Sequence, residues 1–297
     1  MALFKKKTTL VHHIAYMGIM TAINLIFVVL ARYVPYLMFL LILLLPFAST
    51  IVSYFCSKRF FIIYAVASIG LCFIFNPTDT LFYVVPAILS GFVIGLMLDK
   101  GIHPFWMVLS STIINASLTF IFIPLINLLS GSDIVNVFLT LFKLNDFAYK
   151  VEITYLFILF ISFIQCLLTI FVLLSDVKKM GIETDTRIDY FAPFIIGSEL
   201  TILLSLDFGF FYLPLSLFFL GISLYFMAFL LIDLCLSKKP AIYVLLVISL
   251  FVSIILFAVF YQQIAKPYGL LLALLFPAFV SVLSFVNNYL LKRSGNI

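Results

Sequence analysis

Few side chains in this 297-residue chain have both the type and the setting for chemistry. Glu199 is the only acidic residue near the middle of an apolar run, so it suits a proton or cation site, or a structural carboxyl hydrogen-bonded to a neighbouring helix. Ser111, Thr112, Asn115 and Thr119 recur at three- and four-residue spacing and share one helix face. With Thr21, Asn24 and Gln165 at comparable depth, that face either lines a polar pocket or glues helices together. Arg32, Tyr36, Asn76 and Asp79 sit in two short, turn-forming connections. They are the natural first contacts for a solute arriving from that side, or plain caps and interfacial anchors. Asp233 lies a turn or two from Lys238 and Lys239, the spacing of an interfacial ion pair.

Enzyme signatures are missing. HExxH, GxSxG and Walker sequences do not occur, and His12, His13 and His103 stand at the ends of apolar runs, where His12 and His13 are expected to meet lipid headgroups. Cys56, Cys72, Cys166 and Cys235 are scattered singly, with neither a CxxC pair nor zinc spacing. The expectation is a protein that is not an enzyme and holds no cofactor or metal.

These residues must be positioned by membrane helices. The chain is 65% hydrophobic and 10% charged, with mean hydropathy +1.31; a soluble domain is about 45–50% apolar and about 25% charged. One aqueous core could not hide that much apolar surface, which excludes a water-soluble enzyme, a nucleic-acid binder and a disordered scaffold. Cutting at charged and turn-forming clusters leaves ten runs, roughly 11–31, 36–56, 60–75, 80–98, 105–129, 153–174, 190–206, 210–235, 241–261 and 268–291. The fold expected is all-α, a polytopic transmembrane helix bundle of about ten spans.

Basic residues set the orientation, because cytoplasmic loops are rich in Lys and Arg. With the N-terminus inside, the cytoplasmic side collects Lys5, Lys6, Lys7, Lys58, Arg59, Lys100, Lys178, Lys179, Arg187, Lys238, Lys239, Lys292 and Arg293, leaving Arg32, Lys143, Lys150 and Lys266 opposite. Both termini are therefore expected in the cytoplasm. A re-entrant 190–206 run would reverse the later charges. The polar stretch 176–189 divides a six-helix membrane domain, 1–175, from a four-helix extension, 190–297. Between residues 130 and 150, Ile134, Val137, Phe138, Leu141 and Phe142 at helical spacing predict a short helix on the outer surface.

Small residues mark close helix contacts. Ala15, Gly18 and Ala22 share a face of the first run, and Gly91 and Gly95 make a small-xxx-small pair in the fourth. Either pattern serves contact inside the bundle or contact with a separate membrane partner.

Two resemblances follow. Ala31-Arg-Tyr-Val-Pro-Tyr36, the apolar run to Leu45-Pro46-Phe47, and Leu89-Ser-Gly-Phe-Val-Ile-Gly-Leu-Met-Leu-Asp-Lys100 resemble the YybS-like family of bacterial integral membrane proteins, which has no assigned biochemical activity. Residues 1–174 also resemble the substrate-binding S components of energy-coupling factor transporters. That resemblance implies a six-helix bundle with both ends inside, whose first helix docks on a transmembrane coupling subunit; Gly18 and Ala22 are the matching positions. Two departures stand out: S components usually stop after six helices, and Gly18 stands where their pattern prefers alanine.

The leading expectation is thus a solute-binding transport component without its own ATPase, in a cell membrane of bacterial plasma-membrane type. Its partners would be the bilayer, a coupling subunit with ATPases and a small-molecule solute, with no nucleic acid. The alternatives are a non-transporting scaffold or assembly protein, and a proton- or cation-coupled carrier or intramembrane enzyme using Glu199.

Overall fold

The computed structural model describes residues 9–141, 149–177, 191–236, 240–260 and 268–293, and among them every regular element is helical. The helices are α1 (Leu10–Tyr33), α2 (Pro35–Phe55), α3 (Lys58–Phe75), α4 (Val85–Asp99), α5 (Pro104–Ser130), α6 (Ile134–Leu141), α7 (Lys150–Val177), α8 (Phe191–Phe211), α9 (Leu213–Leu236), α10 (Pro240–Phe260) and α11 (Leu275–Arg293). A single α turn, Pro77–Asp79, and a π turn, Thr80–Val84, run into α4; a 3₁₀ segment, Tyr268–Leu274, runs into α11.

Eight stretches among the described residues are long and apolar enough to cross a bilayer: α1, α3, Pro77–Asp99, α5, Val151–Leu173, Pro193–Phe211, Leu213–Leu234 and α10. The apolar stretches Leu44–Phe55 and Leu271–Asn287 are shorter. Ile62, Val66 and Ile74 of α3, with Val244, Phe251 and Ile255 of α10, are each more than half exposed. In water such faces would aggregate, whereas in hydrocarbon they cost nothing, and the helices satisfy their own backbone groups. This is the build of a multi-pass membrane protein.

The chain forms two compact units, Met1–Thr186 and Arg187–Ile297. In the first, α2 packs on α1, α4 and α7, while α5 packs on α4 and α7. Gly91 and Gly95 set the closest approach. A Cβ at Gly91 would sit 2.5 Å from the Pro46 carbonyl oxygen, and one at Gly95 would sit 2.5 Å from Ser53 Cβ. The buried face of α1 runs through His13, Tyr16, Met17, Thr21, Asn24 and Val28, and meets Tyr64 and Cys72 of α3 in one core with Val52 and Ile88.

In the second unit α8 and α9 form an antiparallel pair, each packed on α11. Ser205 Oγ donates to the Ser216 carbonyl at 2.8 Å, and Ser216 Oγ returns the bond to the Ser205 carbonyl at 2.6 Å. Gly197 lets the Phe226 ring approach, since a Cβ there would lie 2.8 Å from it. α10 buries only the stripe Ile242, Leu246, Ser249 and Ser253.

Some boundaries fall elsewhere than the hydropathy suggests. The seventh run was expected to end before Asp207, yet α8 continues through Asp207 and Gly209 to Phe211, and the turn comes at Tyr212. Gly209 serves close packing and not a turn: a Cβ there would sit 2.7 Å from Leu271 Cδ1. Pro214, in the first turn of α9, is where a proline costs no helical bond. The fourth run starts at Pro77, and the sixth at Lys150, with Glu152 in its first turn. His13 does not meet headgroups; it is 5% exposed and stacks on Phe60 with ring centroids 4.3 Å apart, whereas His12 is exposed.

The short helix between residues 130 and 150 is α6. It is capped by Asp133 Oδ1, which accepts from Val135 N–H, and by Asn127 Oδ1, which accepts from Ile134 N–H. Of its apolar side chains, Leu139 is buried, Ile134 packs on the cluster of Leu81, Val85 and Ile126, and Val137 is half exposed. Phe142, Lys143, most of the 176–189 connector and Lys238 and Lys239 lie outside the described residues, as do the side chains of Tyr36, Phe138, Leu141 and Asn288.

Candidate functional site

The α3–α4 connection is built by its own sequence. Asn76, in extended conformation, caps the turn that Pro77 opens: its Oδ1 accepts from Asp79 N–H at 3.2 Å, and its Nδ2 donates to Asp79 Oδ2 at 2.5 Å. Thr80 Oγ1 donates back to the Asn76 carbonyl at 2.7 Å. The chain then widens into the π turn, where Val85 N–H reaches the Thr80 carbonyl five residues back. Pro86 follows and has no N–H to offer, which explains the relaxed ladder. Such π turns are frequent at functional sites.

This segment brings Asp79, Tyr83 and Val84 against Phe27, Val28 and Ala31 of α1 and Leu45 of α2, around a small cleft with room for about one water molecule. Arg32, next to Ala31, is exposed and acts on the Asp79 carboxylate through space. Among the described residues the side-chain hydrogen bond to that carboxylate comes from Asn76. Of the four connection residues singled out in the sequence, Asp79 lines the cleft and Asn76 holds its carboxyl, while Arg32, one residue beyond the lining Ala31, is exposed. The Tyr36 side chain lies outside the described residues.

The intramembrane polar residues fall into two clusters instead of one pocket. Asn24, fully buried, donates to Tyr64 Oη at 2.7 Å, and Ser49 Oγ lies 3.1 Å from the same hydroxyl. Thr21 and Ser68 pair at 3.1 Å one turn along. Asn24 Oδ1 has no partner among the described residues. Separately, Asn115 Nδ2 donates to Gln165 Oε1 at 2.9 Å and to Ser90 Oγ at 3.3 Å, while Asn115 Oδ1 accepts from Ser162 at 3.3 Å. Asn115 therefore ties α4, α5 and α7 together. Ser111 and Thr119, on the same face, spend their hydroxyls on their own helix, bonding the Met107 and Asn115 carbonyls.

Tyr64, Ser49, Ser90, Ser162 and Tyr83 were not picked out by spacing. Tyr64 and Tyr83 carried a usable signal, since a tyrosine within an apolar helix needs a partner for its hydroxyl. The serines carried none, because a lone serine in a span commonly bonds its own backbone.

Glu199 is exposed on α8 between Ile196, Leu200 and Leu203, and Ser281 Oγ donates to its Oε1 at 3.3 Å. Ser281, Ser284 and Asn287 of α11 are buried. Ala15, Gly18 and Ala22 all lie on the exposed face of α1, and a Cβ at Gly18 would meet nothing within 4 Å. Among the described residues no three His, Cys, Asp or Glu side chains gather as metal ligands.

Compared with known proteins, the chain matches no family model, no curated protein and no solved structure.

Proposed function

We propose that the chain is a solute-binding transport component of a cell membrane, without its own ATPase, akin to the S components of energy-coupling factor transporters. About ten spans with both termini cytoplasmic put the Asp79 cavity on the outer side. The observation that supports the reading is the α3–α4 segment, whose Asn76 cap and π turn set the Asp79 carboxyl against apolar and aromatic side chains of α1 and α2 at a small cleft. The unpartnered Ala15, Gly18 and Ala22 face suits a transmembrane coupling subunit that brings the ATPases.

Affinity purification from the native membrane in mild detergent, with mass spectrometry of co-purifying proteins and small molecules, tests it. A coupling subunit with ATPases, and a retained solute, are expected; recovery of neither from intact, monodisperse protein rejects it.

A non-transporting scaffold is the second reading. It is favoured by the Asn115 cluster, whose amide is engaged by Gln165, Ser90 and Ser162 and holds helices together. Under a third reading, a proton- or cation-coupled carrier or intramembrane enzyme, Glu199 with Ser281 is the working group. There Glu199→Gln abolishes activity at unchanged expression.

A further inference from the structure

Helices α1 and α3 begin at the same end of the first unit and run parallel, since His13 meets Phe60 near that end and Thr21 meets Ser68 further along both. Their first turns carry no acidic residue. α1 is capped, with Thr9 Oγ1 accepting from His12 N–H at 3.4 Å. α3 is not: Ser57, at its N-cap, makes no side-chain bond to the first turn, and Phe60 N–H and Phe61 N–H both turn to the Ser57 carbonyl, at 3.0 and 3.3 Å. The N–H groups of Lys58 and Arg59 then find no acceptor among the described residues.

The side chains of Lys58 and Arg59 are both cations and both exposed. Cations at a helix N-terminus oppose the macrodipole, and a second, parallel N-terminus alongside makes the field more positive still. Lys100, by contrast, is the C-cap of α4, where the dipole favours it. His13, in the first turn of α1, is 5% exposed and stacks on Phe60 in the first turn of α3, and its Nδ1 has no partner among the described residues. A buried ring nitrogen left unpaired costs free energy that a ligand can recover. The span of α3 opens at Lys58, which puts this corner at the level of lipid headgroups.

We propose that the paired N-termini of α1 and α3 hold the headgroup phosphate of an anionic phospholipid. Its oxygens accept from the free N–H groups of Lys58 and Arg59, the two side chains close on it from the aqueous side, and His13 offers a ring nitrogen from α1. Ile62, Ile63 and Val66 follow Arg59 at three- and four-residue spacing and are exposed, so the same face of α3 carries the acyl chains. That apolar flank favours a lipid over free phosphate. The site goes beyond the transport reading, because it serves a resident of the bilayer and not a transported solute.

Native mass spectrometry of the purified full-length chain in detergent, titrated with dioleoylphosphatidylglycerol or dioleoylphosphatidylcholine, tests it. Phosphatidylglycerol is expected to bind at least about tenfold more tightly, since the choline of the other lipid meets Lys58 and Arg59. Lys58→Gln and Arg59→Gln are each expected to weaken phosphatidylglycerol about fivefold, the effect of one cation beside an anionic headgroup. His13→Phe, which keeps the stack on Phe60, is expected to weaken it too, whereas Lys100→Gln changes it less than about twofold. The three cations are exposed, so their variants keep the test open if His13→Phe does not fold. Equal binding of the two lipids, or phosphatidylglycerol binding unchanged in Lys58→Gln and Arg59→Gln, overturns the proposal. So does a loss in Lys100→Gln as large as in Lys58→Gln, the mark of diffuse charge attraction, or displacement of the lipid by inorganic phosphate at equal concentration, the mark of a free-anion site.

Discussion

Two small-residue patterns in the first unit look alike in sequence and end in opposite surroundings. Gly91 and Gly95 on α4 are buried against α2, where added carbons would run into the Pro46 and Thr50 carbonyls and the Ser49 and Ser53 side chains. Ala15, Gly18 and Ala22 on α1 face outward, with open space over Gly18. The first pair is spent on the fold. The second is the kind of surface that lets another helix come close, and among the described residues none covers it.

The sharpest way to break this comparison is at Gly95. Gly95→Leu must displace Ser53 and the Thr50 carbonyl, which are backbone or short side chain and cannot swing away. Overpacking of this kind costs about 1–3 kcal/mol or more; the variant is expected to melt well below the parent or fail to accumulate. A melting curve like the parent's would mean that α2 and α4 are not so closely packed.

Asn115→Ala is expected to rank next. Interhelical hydrogen bonds average about 0.6 kcal/mol in membranes, so losing the bonds to Gln165, Ser90 and Ser162 costs about 1–2 kcal/mol, read from thermal unfolding in detergent. If this variant also loses solute binding while Asp79→Asn does not, the Asn115 cluster and not the Asp79 cavity is the site.

The outward pattern predicts a contrast in kind. Gly18→Leu with Ala22→Leu is expected to leave the melting temperature of the isolated chain unchanged, within about 0.5 kcal/mol for a surface site, while abolishing co-purification of the coupling subunit and solute uptake. A loss of stability equal to that of Gly95→Leu would show that this face is packed in the folded chain.

The smallest effect is expected at Glu199. The hydrogen bond that Ser281 donates to it among the described residues survives in Glu199→Gln, so stability and uptake are both expected to stay near the parent's. Uptake lost at unchanged expression would instead support the carrier or enzyme reading.

Much of the fold was legible because hydrocarbon is a demanding solvent. A run of about twenty apolar residues leaves the backbone no alternative to a helix, and each of the ten runs read from hydropathy overlaps a helix among the described residues, eight of them in stretches long enough to cross a bilayer. Asp207 misled because a charge and a glycine look like a turn, yet the helix passes through them. Gly209 was there for the approach of Leu271. The π turn was not legible, since it depends on how Asn76, Pro77 and Pro86 constrain one another across ten residues.

The cleft residues were half legible. Asn76 and Asp79 could be found as polar side chains in a short connection, but Phe27, Leu45 and Tyr83 are indistinguishable in type from dozens of neighbours. Likewise, Asn24 and Asn115 have the same type and comparable depth. Only helix rotation sent one to Tyr64 and the other to Gln165.

By itself the sequence determined that this is a helical membrane protein, where its helices run and which side chains are too polar to face lipid, because those properties follow from transfer free energy summed along a local stretch. Which small-residue face is buried, which amides meet, and which carboxylate lines a cavity were decided by the tertiary structure. These depend on the rotation and pairing of helices far apart in the chain, and nearly uniform hydropathy carries no record of that.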